Sequence, residues 1–387
     1  WLGLVGMADP VREGVNDIIE VFHSAGIDTV MITGDQSPTA YAVARQLNLS
    51  GKGHLRILDS AELAGLDHEK LAALSKKASV YSRVSPAHKL QIVHALQSDG
   101  TVVAMTGDGI NDGPALKAAD IGIAMGRSGT DVAREVADVV LEDDNLETLI
   151  LAVKGGRTIY NNIRKSVHFF LSTNLSEIML LSSGVALGLG TLLNPMQLLW
   201  INLISDIFPG LALSMEAAEP DVLDRPPRKP NSPLFDGADF KRMGRESLVL
   251  TAGALAAYGY GAARYGAGPA AGGLAFQTLT VSQLLHAVSC RSENRLLFEK
   301  VRPPKNRYVT WAVAGSLALQ GLTMVAPGPR KFFSVAAPRL ADLAVVGATV
   351  VGTFVANQLL KPGSAHGDGK QTSTQGKEAP AAALPTH

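Results

Sequence analysis

Two carboxylates four residues apart in a glycine-rich turn are the strongest chemical signal in the chain. They are Asp108 and Asp112 in Met105-Thr106-Gly107-Asp108-Gly109-Ile110-Asn111-Asp112-Gly113-Pro114-Ala115-Leu116. An apolar run leads into this turn, as at the carboxyl end of a parallel strand, where ligands bind. Asp108 offers oxygens to a hard cation, and magnesium is the natural guest beside a phosphate. Glycines let backbone approach a ligand closely. Gly-Asp-Gly by itself also fits an ordinary strand–turn–helix with a capping aspartate. Thr33-Gly34-Asp35 again follows an apolar run. Its hydroxyl suits a phosphoryl oxygen, although these residues alone read first as a helix N-cap. In Arg83-Val84-Ser85-Pro86-Ala87-His88-Lys89, Pro86 starts a helix and puts Lys89 in its first turn. A lysine there opposes the helix dipole and is better explained if it meets an anion. The plain alternative is a solvated surface lysine.

A second set of chemical residues lies in apolar surroundings. Glu177 stands in Ser172-Thr173-Asn174-Leu175-Ser176-Glu177, with Asn174 three residues before it on one helical face. Asn202, Ser205 and Asp206 follow at spacings of three and four, again one face, and Pro209 leaves the Ser205 carbonyl free. Two carboxylates, two amides, a hydroxyl and a spare carbonyl suit a hard cation. Interhelical hydrogen bonding accounts for the Asn and Ser residues. It accounts poorly for Glu177 and Asp206, because ionisable residues inside a span are functional candidates by default.

Positioning these residues takes two kinds of element. Over residues 1–150, apolar runs at 29–32, 102–105, 121–125 and 138–141 read as buried strands. Helical patterns at 15–25, 38–47, 61–74 and 86–96 alternate with them. That alternation predicts α/β architecture, a parallel sheet covered by helices on both faces. Residues 151–166 read as a polar stalk helix. Six apolar stretches follow near 167–189, 196–215, 247–265, 274–290, 308–326 and 340–360, giving an all-α transmembrane domain over 167–360. Basic residues crowd the second and fourth loops: Arg225, Arg228, Lys229, Lys241, Arg242 and Arg245, then Arg291, Arg295, Lys300, Arg302, Lys305 and Arg307. Positive loops stay cytoplasmic, so six spans put the soluble domain and the C-terminus there. Arg330, Lys331 and Arg339 in the fifth loop run against that pattern. Residues 361–387 read as a disordered tail.

Composition agrees. Hydrophobic residues make up 46% and charged residues 18% of 387 residues, and 35 basic groups balance 35 acidic ones. Zero net charge excludes a nucleic-acid partner held by bulk charge. The single Cys290 excludes a disulfide framework or a cysteine zinc cluster. The chain opens on Trp1 with no signal peptide and is read as a piece of a longer one.

Hydroxyl, lysine and acidic turn come in the order of the haloacid-dehalogenase phosphotransferase core. With Asp9-Pro10-Val11-Arg12 added, the set resembles the phosphorylation domain of P-type cation ATPases, and the apolar region extends the resemblance to about residue 360. The resemblance implies a haloacid-dehalogenase-like, Rossmann-type domain. Asp108 would ligate magnesium, Lys89 would neutralise phosphoryl oxygens and Thr33 would bind one, with Gly34 and Asp35 completing its turn. Asn111 and Asp112 would shape the phosphate site. Asp9, Arg12 and Arg83 would lie toward the nucleotide, with Asp9 and Arg12 at a hinge. Asn174-Leu175-Ser176-Glu177 and Leu199 through Asp206 look like the paired ion-binding helices of the calcium-type (P2) branch. So does the loop from Glu219-Pro220-Asp221 to Arg228. Gln283 stands where two-calcium relatives carry a glutamate, which favours one divalent ion or a different cation. His286, on the same stretch as Gln283, is read as a packing or hydrogen-bonding group.

The implied activity is ATP-driven transport of a cation, calcium or another divalent, through an aspartyl-phosphate, with Mg2+ and ATP required. The family's Asp-Lys-Thr-Gly string, nucleotide domain, Thr-Gly-Glu loop and first four spans are absent from this sequence. The chain is therefore expected to need the N-terminal part of the same polypeptide, and to be inactive alone. Two further readings are a non-catalytic truncated membrane protein and a membrane-anchored phosphatase of the same superfamily. The frequent Ala and Gly of the spans point to a bacterial plasma membrane.

Overall fold

The computed structural model describes residues 1, 3, 10–51, 53–63, 68–75, 77–98, 100–292 and 303–361. Asp9, Arg295, Lys300, Arg302 and the expected tail from 362 onward lie outside the described residues. The chain forms two compact units. The first comprises Trp1–Ser172, Asp206–Arg245 and Pro304–Ala314; the second comprises Thr173–Ser205, Glu246–Pro303 and Gly315–His387.

Among the described residues, the α/β part of the first unit holds six short strands in two parallel sheets. β1 (Met31–Ile32), β2 (Ile57–Asp59) and β3 (Val80–Ser82) lie in the order β1-β3-β2, with both Met31 and Ile57 opposite Val80. β4 (Ala104–Gly107), β5 (Ile121–Met125) and β6 (Val139–Leu141) lie in the order β4-β5-β6, with Thr106 opposite Ile123 and Ala124 opposite Val140. Parallel pairs need crossovers. These are supplied by α1 (Val15–Ser24), α2 (Ser37–Gln46), α3 (Ser60–Leu63), α4 (His68–Ser75), α5 (Pro86–Gln97), α6 (Gly113–Ala118) and α7 (Asp131–Val136). Tyr81, Leu58 and Ile92 centre one core; Met105, Leu116, Ala124 and Ala133 centre another.

The sequence reading departs from this in three ways. One sheet was expected and two are present, with β1 and β4 each at a sheet edge. The helix expected at 61–74 is split into α3 and α4. Runs expected to be buried are partly open: Val102, Val139 and Val140 are exposed. Edge position explains the valines of β6, because an edge strand lacks a neighbour on one side.

α8 (Glu147–Ala186) runs unbroken for 40 residues. α9 (Pro195–Ile201) passes through a π-helical turn at Asn202–Ile207 into α10 (Phe208–Ser214). α11 (Gly237–Tyr265), α12 (Pro269–Cys290), α13 (Arg307–Val325), α14 (Pro327–Phe332) and α15 (Leu340–Leu359) follow. Among the described residues, four segments are long and apolar enough to cross a membrane: Glu147–Ala186, Pro195–Ser214, Arg307–Val325 and Leu340–Leu359. α11 and α12 coincide with the third and fourth expected stretches but are less apolar. In α12 the polar Gln277, Thr278, Thr280, Ser282 and Gln283 are all buried. A helix enclosed by protein need not be apolar all round, because its polar groups find partners there.

Candidate functional site

Hydrogen bonds link the three soluble motifs into one chain of contacts. Thr33 ends β1. Its Oγ1 donates to Asp35 Oδ2 at 2.8 Å and accepts from the Asp35 N–H at 3.1 Å. Asp35 is not the cap of α2, whose N-cap is Gln36. The turn is held instead from the next strand: the Arg83 N–H donates to the Asp35 carbonyl at 2.9 Å, and the Val84 N–H to the Thr33 carbonyl at 3.0 Å. Arg83 takes φ 54° to do so, a left-handed conformation uncommon outside glycine, and its side chain is exposed.

From Val84 the chain enters α5. Ser85 caps the helix by accepting from the His88 N–H at 3.4 Å, and Pro86 fills the first helical position. Lys89, in the first turn, donates from Nζ to Asp112 Oδ1 at 2.5 Å. Asp112 is buried, and its other oxygen accepts from the Gly109 N–H at 3.2 Å. A Cβ on Gly107 would lie 2.6 Å from Asp112 Cβ, so the close approach of this turn requires glycine there. The Asp108 carbonyl is held by the Thr130 N–H at 2.9 Å. The Asp108 side chain is exposed, and its carboxylate makes no hydrogen bond or ion pair among the described residues. A carboxylate presented this way fits a hard cation such as magnesium. Asn111 is exposed beside it, and open space lies above Gly34.

Residues that no motif announced hold this arrangement. Arg134 Nη1 donates to the carbonyls of Gly126 at 2.8 Å and Gly129 at 2.7 Å, fixing the loop that carries Thr130. Asp144 accepts from the N–H groups of Arg127 and Ser128, which hold its carboxyl below the usual aspartate range. Arg12 reaches the Asp144 carbonyl at 3.4 Å. Beside β3, Ser37 donates to Asp59 at 2.8 Å. The Ala61 N–H, then the Ser37 hydroxyl, hold the Asp59 carboxyl below its ordinary value.

The loop from Glu219 to Arg228 is also tied down. Arg225 bonds both Asp221 and Glu219, and Lys165 of α8 donates to Glu219 at 2.7 Å. Burial pushes the Glu219 carboxyl up, but the two cations outweigh it and the net shift is downward.

In the second unit, Glu177 is buried against α12. Gln283 Nε2 donates to Glu177 Oε1 at 3.1 Å, to Ser176 Oγ at 3.3 Å and to the Thr173 carbonyl at 3.3 Å. Among the described residues, Gln283 Oε1 is buried without a hydrogen-bond partner, as is Ser205 Oγ. Orphaned buried polar atoms are costly, and a cation or water would satisfy them. Asp206, in the first unit, is also buried. Asn174 and Asn202 are exposed, unlike Glu177 and Ser205. The π turn at Asn202–Ile207 adds a residue to the turn and breaks the i, i+3 alignment of Asn202 with Ser205. His286 Nε2 lies 3.7 Å from Glu246 and 3.4 Å from Cys290.

Residues 1–120 match the haloacid dehalogenase-like hydrolase family, and residues 190–362 match the family described as cation transporting ATPase, C-terminus. A phosphotransferase-type domain followed by such helices defines the P-type cation-transporting ATPases. The chain belongs to that family. It is 41% identical over 360 residues to a calcium-transporting ATPase of Bacillus subtilis, covering 92% of this chain and 40% of the relative. It is 37% identical over 362 residues to calcium-transporting ATPase type 2C member 2 of Mus musculus, covering 93% and 38%. The chain thus spans about two fifths of the length of these relatives.

Proposed function

We propose that this chain is the C-terminal portion of an ATP-driven pump that moves calcium or another divalent cation across a membrane through an aspartyl-phosphate. The observation that carries the reading is the contact of Lys89 with Asp112, which joins two motifs 23 residues apart into one anion-binding corner. Lys89 and the Thr33 hydroxyl bind and orient phosphoryl oxygens; Asp112 fixes the lysine and the turn. Asp108 holds magnesium, which when bound offsets charge on those oxygens. Gly34, Asp35 and Asn111 shape the site, and Asp9, Arg12 and Arg83 lie toward ATP.

The acceptor aspartate comes from the N-terminal part of the same polypeptide. Among the described residues no further strand pairs with the outer edges of β1 and β4, whose carboxyl ends carry Thr33 and Asp108, which supports that reading, because each edge can take a further strand. Residues 1–150 form the phosphorylation domain, 151–166 the stalk and 167–360 six spans, with the soluble domain and C-terminus cytoplasmic in a bacterial plasma membrane. Glu177, Ser205 and Asp206 bind the transported cation, assisted by Asn174 and Asn202. Ion-dependent ATP hydrolysis by the full-length protein across calcium, magnesium, manganese, sodium and potassium tests this. Activation by calcium or another divalent supports it; indifference to every cation refutes it.

A further inference from the structure

α11 and α12 bring three metal-binding side chains together inside the second unit. His286 and Cys290 stand four residues apart on α12, hence on one helical face. An i, i+4 pair is how a single helix gives two ligands to one metal ion. Glu246 reaches the same place from α11. Glu246 and His286 are each 2% exposed and Cys290 7%, so all three donors are withdrawn from the surface.

Both contacts fall on one ring nitrogen. His286 Nε2 lies 3.4 Å from Cys290 Sγ and 3.7 Å from Glu246 Oε2. A histidine that passes a proton between a thiol and a carboxylate uses its two nitrogens separately, because each carries one proton or one lone pair. Here sulfur and oxygen instead converge on the same nitrogen. The ligand atoms of a tetrahedral zinc, bonded at about 2.0–2.3 Å, stand about 3.5 Å apart. The spacings of Sγ and Oε2 from Nε2 are of that size.

The donor set selects the ion. Calcium and magnesium take oxygen ligands. Thiolate with imidazole suits zinc and its thiophilic neighbours. The single cysteine excludes a cysteine cluster, not a mixed set such as this one. Charge agrees: one thiolate, one carboxylate and a neutral imidazole cancel a divalent cation, which offsets the cost of burying two acidic groups. Cys290 is the last residue of α12, which places the site at a helix end.

We propose that Cys290, His286 and Glu246 bind a thiophilic divalent ion of the zinc class and clamp α11 to α12. On binding, the Cys290 S–H bond breaks, its proton leaves to solvent and a sulfur lone pair passes to the metal, with no change of oxidation state. A water completes the four-coordinate shell. None of the three residues belongs to the transported-cation or phosphate sets, and the site does not depend on the transport reading.

The test uses the full chain without a histidine tag, purified in detergent, stripped of metal and kept reduced, with cobalt(II) as the probe. Cys290 is the chain's one cysteine, so a thiolate-to-cobalt charge-transfer band reports on it alone. The parent should show that band with the visible bands of four-coordinate cobalt and saturate at one ion per chain. Zinc should erase both, and calcium and magnesium neither. Cys290→Ser should abolish the charge-transfer band. His286→Asn and Glu246→Gln should each weaken cobalt binding by at least about tenfold, since even the partners of metal ligands are worth that much. Circular dichroism of each variant matching the parent establishes that it has folded. A parent without a charge-transfer band overturns the proposal, and that result needs no variant. So does cobalt affinity left unchanged by His286→Asn or by Glu246→Gln, which would leave only an adventitious contact with the thiol.

Discussion

Lys89 Nζ sits 2.5 Å from Asp112 Oδ1, with both side chains largely removed from solvent. The pair turns a lysine unfavourably placed in a helix first turn into the strut between α5 and the Gly107–Asp112 turn. Removing the cation leaves a buried carboxylate uncompensated. Lys89→Met should therefore cost about 3 kcal/mol of stability. Urea unfolding of the variant checks this, and a loss below about 0.5 kcal/mol, the size of an exposed pair, would contradict a buried strut.

Gly107→Ala and Gly109→Ala form a matched pair. The added Cβ would meet Asp112 Cβ at 2.6 Å in the first, whereas in the second its nearest neighbours would be Asp112 Oδ2 at 3.5 Å and the Asn111 nitrogen at 3.8 Å, ordinary van der Waals contacts. The first should cost about 1–3 kcal/mol by overpacking. The second should leave stability nearly unchanged. Equal thermal shifts for the two would count against the turn geometry.

The Thr33 hydroxyl is held by Asp35 both as donor and as acceptor. Thr33→Val should lower the rate of phosphorylation in the full-length protein by about 10–100-fold, the worth of one hydrogen bond to a charged group. Thr33→Ser should recover most of it. Failure of serine to rescue would assign the threonine a packing role.

Asp120 gives a pH prediction. The Val103 N–H, then the Gln97 amide, lower its carboxyl below the ordinary aspartate value. A depressed folded pKa contributes stability that is present above the unfolded value, about 3.9, and is lost as pH falls through the lower folded value. Asp120→Asn should flatten the decline of the melting temperature below about pH 4 and leave its slope near pH 7 unchanged. An acid limb identical to that of the parent would refute this.

The phosphate-site motifs were legible because their chemistry is local: a Gly-rich turn after an apolar run, and a helix opened by Pro86, read directly from a few adjacent residues. Arg134, Asp144 and the Ser37–Asp59 contact were not, because their partners lie 5–22 residues away and no spacing rule links them. β2 and β3, three residues each, are too short for periodicity to register. Asn202 was placed by ordinary helical arithmetic, which the π turn invalidates. Gln283 was read as a missing acid, whereas the structure makes it the donor to Glu177. In the full-length protein Gln283→Ala should accordingly weaken cation affinity by about tenfold, through loss of a hydrogen bond to a charged group. Cation titration of ATP hydrolysis reads this, and an unchanged half-saturating concentration would remove Gln283 from the site.

The proposed pump is tested most directly by cation-activated phosphorylation of the full-length protein with radioactive ATP, parent against Asp206→Asn. The substitution keeps shape and removes one buried charge. The parent should form an acid-stable phosphoenzyme only when calcium or another divalent ion is present, and Asp206→Asn should form none. A variant that is phosphorylated with the parent's cation dependence would contradict the account.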